Sequence, residues 1–501
     1  MSSSRNVTLS FVALSGIVIL SIISKKALFQ EKKRKKASIS KTEADIISRL
    51  PDDLLASIIN DLPTKEVVKT SILSKRWRNI YKVVSHVNFD CLNIFGVGPH
   101  DDNCCGRLQE KFIKEVDKFL GVYSGSRMIA CQLTCCFTEY FPNKAEEWIR
   151  SLGRLGAKQL TLKFKCSNLC HPNFEKTPDF SCQLISEAPS MQFLSLTRCT
   201  LQPNLKSQCN SLKSLHLRQV TINTKAMKCI LANCLHLQSL VMELCSLTPK
   251  LCISGRNLQL KDLSIISCSE LDELELYASN LTRFEFNHFY VGQFYCTHVP
   301  RLEFFSIRLS GEYLMHFLFG ELARLLPWLK PSTFKTSQEN HREMCIPTAI
   351  NMFSNLRRLD LDCFILPEEL SVLPILELCP LLQELNFATS HASPQTKARA
   401  RAFDEQQVKT KSVKFHTELK KVVYDGFSGA TCETEFALYI LRSAIALEEM
   451  NIRCYYKYLF GNSCFLNLKL PWKEDKLEWM HQVFQGHAIS KSATISISHR
   501  K

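Results

Sequence analysis

"LQSLVMELCSLTPKLCISGRNLQLKDLSIISC", residues 237–268, carries the pattern that decides the fold. Leu237, Leu240 and Met242 stand at L-x-x-L-x-L spacing with Cys245 and Leu247 behind them, and Leu260, Leu263, Ile265 and Cys268 repeat the frame. The alternating apolar residues share one side of an extended strand, so each unit reads as a short strand followed by a turn. Working outward, Met191, Leu194, Leu196, Cys199 and Leu201 fit the same frame; Leu212, Leu215, Leu217, Val220 and Ile222 hold it with valine in the cysteine's place. The starts at 191, 212, 237 and 260 lie 21, 25 and 23 residues apart, inside the roughly 20 to 29 residues of a strand-and-return repeat. Such a unit cannot bury its apolar face alone, so stacked neighbours must supply the core.

Shorter versions occur at Leu271/Leu274/Leu276, Leu281/Phe284/Phe286, Leu302/Phe305/Ile307, Leu356/Leu359/Leu361, Leu382/Leu385/Phe387 and Leu447/Met450/Ile452. Spacings of 11 and 10 after residue 260, and a gap of 54 between 302 and 356, predict an irregular array. Gly311 to Met344 reads as an insertion, with GELARLLPWLKP a short helix ended by Pro327 and Pro331. Residues 388–414 are polar, basic and without period, an exposed loop in which Phe403 is the sole Phe, Tyr or Trp, which argues against nucleic-acid contact. Leu419 to Cys454 then predicts a strand, a turn at Gly426 and Gly429, a helix of Phe436, Ile440, Leu441 and Ile445, and another strand.

The 23 cysteines follow no short framework, which favours reduced thiols in a cytosolic or nuclear compartment. Cys199, Cys245 and Cys268 fall inside repeat turns and read as packing thiols. Cys131/Cys135/Cys136, Cys166/Cys170/His171 and Cys229/Cys234 come nearest to metal spacing, but no paired CxxC exists, so neither a metal site nor a cofactor is expected. Of the formal charge of +15, residues 1–41 carry +8, nine Lys/Arg against Glu31 alone, and the remaining +7 over 460 residues is ordinary. No nucleic-acid partner is implied.

Val7 to Ile23 is an uncharged, mostly apolar run of about 25 Å as a helix, followed by Lys25, Lys26 and the KKRKK run at 32–36. Two readings stand: a membrane anchor holding the rest of the chain on the cytosolic side, or an apolar extension buried elsewhere with KKRKK as a nuclear-import patch.

One stretch remains, "RLPDDLLASIINDLPTKEVVKTSILSKRWRNIY" at 49–81. Pro51 suits the first position of a helix, Asp52 and Asp53 face the positive end of its dipole, and Leu54, Leu55, Ile58, Ile59 and Leu62 recur at helical spacing. Pro63 stops that helix; Val67, Val68, Ile72 and Leu73 mark a second, and Trp77, Ile80, Tyr81 and Val84 a third. Three helices this short cannot bury all their stripes against one another, so a partner must meet some of the apolar surface.

LPDDLL at 50–55 and DLPTKEVVKTSILSKRW at 61–77 closely resemble the F-box of plant F-box proteins; the repeats and the segment from Leu419 to Cys454 look like the leucine-rich repeats and FBD region that often follow it. The resemblance implies an α/β fold: a small three-helix F-box, then an irregular leucine-rich-repeat solenoid with parallel strands on one face, behind an N-terminal apolar helix. The expected divisions are 1–41 apolar segment and polybasic stretch, 45–84 F-box, 85–150 linker and helical cap, 151–390 repeats, 391–415 basic loop, 416–470 FBD-like region and 471–501 tail. It further implies a non-catalytic substrate receptor whose F-box docks a Skp-family adaptor, and through it a cullin, while the repeats recruit an unidentified protein. Leu50, Pro51, Leu54, Leu62, Pro63, Val68 and Trp77 match the motif as adaptor contacts, whereas Ile58, Ile72 and Leu73 read as packing between the helices. The chain has no G-x-x-x-x-G-K-[ST], G-x-S-x-G or H-E-x-x-H motif, and no catalytic residue is named. The rival reading is a membrane-tethered repeat scaffold uncoupled from degradation. Lys213, Ser214, His216, Asp272, Glu273, Glu275, Arg357, Arg358 and Asp360 are exposed strand positions in this frame, but they single out no substrate site.

Overall fold

The structure, a computed structural model, describes residues 50–60, 76, 85–96, 108–123, 128–136, 142–165, 177–204, 207–255, 257–288, 293–308, 316–326, 332–334, 352–363, 376–389, 414–427, 429, 431–460, 464–469 and 474–498. It forms two compact units, residues 1–212 and 213–501. The expected apolar segment Val7–Ile23, the KKRKK run, most of the second and third F-box helices, Cys166/Cys170/His171 and most of the basic loop lie outside the described residues. Among the described residues no helix is long and apolar enough to cross a membrane.

In the first unit, helix α1 (Asp52–Asn60) is followed by β1 (His86–Asp90), α2 (Cys91–Phe95), α3 (Gln109–Val122), β2 (Ala130–Thr134), α4 (Pro142–Arg154), β3 (Gln159–Lys163), β4 (Asp179–Ser181), α5 (Gln183–Glu187), β5 (Phe193–Thr197) and β6 (Thr200–Gln202). β1, β2, β3 and β5 pair in parallel, setting Val87, Cys131, Leu160 and Leu194 in one buried row. α4 returns the chain because Ala145, Trp148, Ile149 and Leu152 fall on one face and are buried while Glu147 and Arg150 face water. Trp148 meets Phe112 of α3 edge-on at 6.2 Å, and its indole N–H donates to Asp117 at 2.7 Å, so this buried ring leaves no polar atom unpaired. Gly153 lets α4 approach α5: a Cβ there would lie 3.1 Å from the Cα of Ala188.

The span expected to be linker and helical cap, 85–150, holds the helices α2 and α3 and more besides. Two of its segments are sheet strands, hidden because HVNFD and ACQLT carry the strand period on Val87, Phe89, Cys131 and Leu133 instead of leucine triplets.

The second unit comprises β7 (Ser214–Arg218), α6 (Thr224–Asn233), β8 (Ser239–Glu243), β9 (Lys250–Ser254), β10 (Asp262–Ile266), β11 (Glu273–Tyr277), β12 (Arg283–Asn287), β13 (Gln293–His298), β14 (Phe304–Arg308), β15 (Ser332–Phe334), β16 (Arg358–Cys363), β17 (Glu384–Thr389), β18 (Lys421–Asp425), α7 (Thr431–Ser443), β19 (Glu449–Arg453), β20 (Tyr455–Phe460), β21 (Cys464–Lys469), α8 (Glu474–His487) and β22 (Thr494–Ser498). Its main parallel sheet runs β7–β8–β10–β12–β14–β15–β16–β17–β18–β19–β22, with β9–β11–β13 a second parallel sheet and β20–β21 an antiparallel pair. Leu215, Leu240, Leu263, Phe284 and Phe305 stand in register and none is more than 1% exposed; Leu217, Met242, Ile265, Phe286 and Ile307 form the next row inward.

The expected irregularity is corrected in part: the spacings of 11 and 10 after residue 260 arise from two sheets, while the starts at 302, 356, 382 and 447 remain uneven. Leu271, Leu274 and Leu276 belong to β11 of the second sheet, so main-sheet repeats start at 237, 260, 281 and 302, spaced 23, 21 and 21. The three coils that start with β8, β10 and β12 carry a second strand, β9, β11 and β13, in the other sheet. The segment read as an insertion adds a helical turn, His316–Leu322 with Ala323–Leu325, and then β15, which pairs with β14 and β16 and continues the stack. The strand, Gly426/Gly429 turn, helix and strand of the FBD-like region are present, with both glycines left-handed at φ 82° and 78°. Ile445 does not extend the helix face: α7 ends at Ser443 and Ile445 is 45% exposed. The expected C-terminal tail holds α8 and β22, and β22 pairs with β19.

The turns leaving the strands share a device. Arg198, Gln219, Leu244 and Ser267 take positive φ of 63°, 53°, 53° and 49°, each directly before Cys199, Val220, Cys245 or Cys268. That conformation is unfavourable for side chains other than glycine. In the second unit, inter-coil bonds offset it: Gln219 N–H donates to Glu243 O at 2.8 Å and Leu244 N–H to Ile266 O at 2.8 Å. The Cys245 thiol donates to Leu217 O at 3.3 Å and Cys268 to Met242 O at 3.5 Å, so these thiols hydrogen-bond the preceding coil from a dry turn. Burial pushes the thiols of Cys131, Cys296, Cys379 and Cys454 up to about 12, and that of Cys199 upward as well.

Two outcomes follow. Leu263→Ala removes packing from the middle of a row and is expected to cost about 2–5 kcal/mol in denaturant unfolding, against under ~0.5 for the outward Glu285→Ala. Second, because the folded pKa of those four thiols lies above the ordinary 9.0, their stabilisation is complete below pH 9 and is lost as pH rises towards 12. Among the described cysteines, iodoacetamide at pH 8 should therefore modify the half-exposed Cys229 and Cys252 first, with Cys131, Cys199, Cys379 and Cys454 reacting only in denaturant; mass spectrometry of the labelled peptides checks it.

Candidate functional site

The N-terminal helix is built as its sequence requires. Leu55 N–H donates to Pro51 O at 3.1 Å, so Pro51 occupies the helix entrance, where its missing N–H goes unused. Leu55 is 0% exposed while its neighbour Leu54 is 53% exposed. Pro51 is exposed beside it, Leu50 half-buried, and Ile58, expected to pack inward, half-buried. Of the seven residues expected to meet an adaptor, the structure brings together Leu50, Pro51 and Leu54; Leu62, Pro63, Val68 and Trp77 lie outside the described residues.

Arg76 holds this end of the helix. Its Nε donates to Asp52 Oδ1 at 2.8 Å, its Nη2 stands 2.6 Å from the same oxygen, and Nη2 also donates to the carbonyl of Leu50. Sequence reading placed Asp52 at the helix dipole but missed Arg76. A Lys/Arg two dozen residues from a helix-opening aspartate is too common to signal a pairing.

The second candidate surface is the outward face of the main sheet in the second unit. Ser214, His216 and Arg218 of β7 align with Ser239, Val241 and Glu243 of β8, and onward with Asp262, Ser264 and Ile266 of β10 and Arg283, Glu285 and Asn287 of β12. Partial burial holds the His216 imidazole below the usual histidine range, favouring its neutral form. The Arg283 guanidinium lies 4.2 Å from the centre of the Phe304 ring on β14. From β16 onward the first outward position alternates in sign, Arg358, Glu384, Lys421, Glu449, with contacts of 3.5 Å between the first two and 2.6 Å between the last two. Arg453 meets Asp425 at 3.1 Å, and Asn386 donates to Asp360 at 2.5 Å. Hydrogen bonding to Lys421 keeps Glu449 below its ordinary carboxylate range. These charges answer one another, so this end of the face presents hydrogen-bonding groups with little net field.

The sequence frame had grouped Asp272, Glu273 and Glu275 with Lys213, Ser214, His216, Arg357, Arg358 and Asp360. The structure separates them. Glu273 and Glu275 sit on β11, and Asp272 directly before it, on the second sheet, where Lys250 Nζ reaches Glu273 at 2.6 Å and Glu275 at 2.7 Å. Tyr277 stacks on His298 at 5.1 Å between centroids on the same sheet. Among the described residues no group of three or more His, Cys, Asp or Glu is arranged to hold a metal ion.

Comparison with known proteins bears on both surfaces. A family signature described as "F-box domain" matches residues 47–82, and one described as "At1g61320/AtMIF1, LRR domain" matches residues 122–477. The F-box/FBD/LRR-repeat protein At5g56420 of Arabidopsis thaliana is 25% identical over 81% of this chain and 90% of its own length. The F-box/FBD/LRR-repeat protein At1g78750 is 29% identical over 57% of this chain and 56% of its own length, and the F-box protein At3g60790, 26% identical, over 53% of each, both from the same plant. The chain thus spans nine-tenths of the first of these curated relatives and about half the length of the other two.

Proposed function

This chain belongs to the plant F-box/leucine-rich-repeat proteins, and on that premise we propose that it is the substrate-recognition subunit of an SCF-type (Skp–cullin–F-box) ubiquitin ligase. Its F-box docks a Skp-family adaptor and through it the cullin, while the repeats and FBD-like region hold a protein substrate. Leu54 carries the reading. A lone exposed leucine is ordinary, but this one stands beside the exposed Pro51 inside the LP-x-x-L-L motif while Leu55 fills the core in its place. An apolar side chain kept out of its own core at a helix end suits a partner's helical groove.

The chain acts by placement. It brings a substrate amine and the activated ubiquitin into one complex and turns a bimolecular encounter into an intramolecular one; the acyl transfer itself belongs to other subunits. The cytosol and nucleus fit this role, since both keep thiols reduced in a chain with 23 cysteines.

Replacing Leu50 and Pro51 together with alanine should lower recovery of a co-expressed plant Skp-type adaptor by about tenfold or more, as truncation of interface anchors does. The melting of the repeats should not move. Undiminished adaptor recovery with this double variant would contradict the proposal.

A further inference from the structure

The clamp made by Arg76 has a consequence for docking. We propose that Arg76 is a positioning residue, whose grip on Asp52 and on the Leu50 carbonyl sets the rotation of α1 that turns Leu54, and with it Pro51, outward to the adaptor; this rests on the adaptor reading above. Successive helix residues differ by about 100° around the axis, so a roll of that size would exchange the exposed Leu54 for the buried Leu55, and a smaller one would already turn Leu54 away from the direction a partner approaches. Among the described side chains of α1, Leu55 is the one fully buried, and packing at one point does not by itself fix the rotation of the helix. Arg76 adds two fixed points at the other end, the carboxylate of Asp52 and the carbonyl of Leu50, reached from 24 and 26 residues away.

The two points lie on either side of Pro51, whose ring already restricts the backbone there. Together they set both the direction in which the chain enters the helix and the phase of its first turn. Only a flat guanidinium spans them. Its Nε and Nη2 address Asp52 while Nη2 also reaches the carbonyl, a fork that a lysine ammonium cannot reproduce. The pair is partly exposed, with side-chain exposures of 37% for Arg76 and 68% for Asp52, so it contributes little to global stability. Its effect is on geometry, read by the partner.

The experiment measures affinity of the full chain for a purified plant Skp-type adaptor, alongside far-UV circular dichroism and melting. Arg76→Gln and Asp52→Asn should each weaken binding by on the order of fivefold with melting unchanged. Arg76→Lys, which keeps the charge, should recover only part of the loss. The charge-reversed pair Asp52→Arg with Arg76→Asp should bind more tightly than either of its component single variants. Weakening by Arg76→Gln but not by Asp52→Asn would overturn the proposal, because Arg76 would then act on the adaptor directly. So would full recovery by Arg76→Lys, or no effect from either residue while Leu54→Asp abolishes binding. Wild-type binding by Leu54→Asp would instead remove the adaptor reading itself.

Discussion

A single coil of this chain cannot keep its own leucines dry, and the rest of the second unit follows from that constraint. Leu263 is shielded because Leu240 and Phe284 lie in register on either side, and each of these depends on the next strand in turn. The parallel ladder is the only pairing that repeats this arrangement without shifting the apolar set to the wrong face, since a slip of one residue reverses inside and outside. The side chains broaden along the row, from Leu215 and Leu240 to Phe284 and Phe305, whose rings lie 5.4 Å apart. Burying each such residue contributes about 1.5–3 kcal/mol, enough to hold turn residues such as Leu244 in a left-handed conformation that none would choose alone.

The same alternation frees the other face. Because L-x-L commits every second residue to the core, the residues between are released from packing, and the sheet can carry Ser214, His216, Arg283 or Lys421 at equivalent places without cost to the stack. Opposite charges on adjacent strands then settle against one another, as Lys421 and Glu449 do. Such a surface presents a pattern of donors and acceptors more than bulk charge, and more than half of the formal net charge falls in the first 41 residues.

Much of this was legible in the sequence. The repeat leucines, the turn cysteines and the Gly426/Gly429 turn are all where the spacing placed them, because period and burial are two expressions of one geometry. What escaped was whatever does not show in leucine spacing. β1 and β2 use valine, phenylalanine and cysteine; β11 keeps the leucines but belongs to the second sheet, so its spacing looked like an irregularity. β22 offers only Ile495 and Ile497 among serines and threonine, too thin a period to separate from a tail, yet β19 beside it makes it a strand. At the N-terminal helix, Pro51 at the entrance and Asp52 in the first turn were readable because their places are local. Arg76 was not, since its contacts bridge 24 and 26 residues and depend on how separate segments meet.

The end of α1 leaves an apolar side chain, Leu54, uncovered, and the proposed function requires a second protein to cover it. Hydrogen–deuterium exchange of the full chain with and without a Skp-type adaptor tests this most directly. Protection of the amides between residues 50 and 81, with the strands from β7 to β22 unchanged, is the predicted result. Exchange in that N-terminal stretch that is indifferent to saturating adaptor would contradict it.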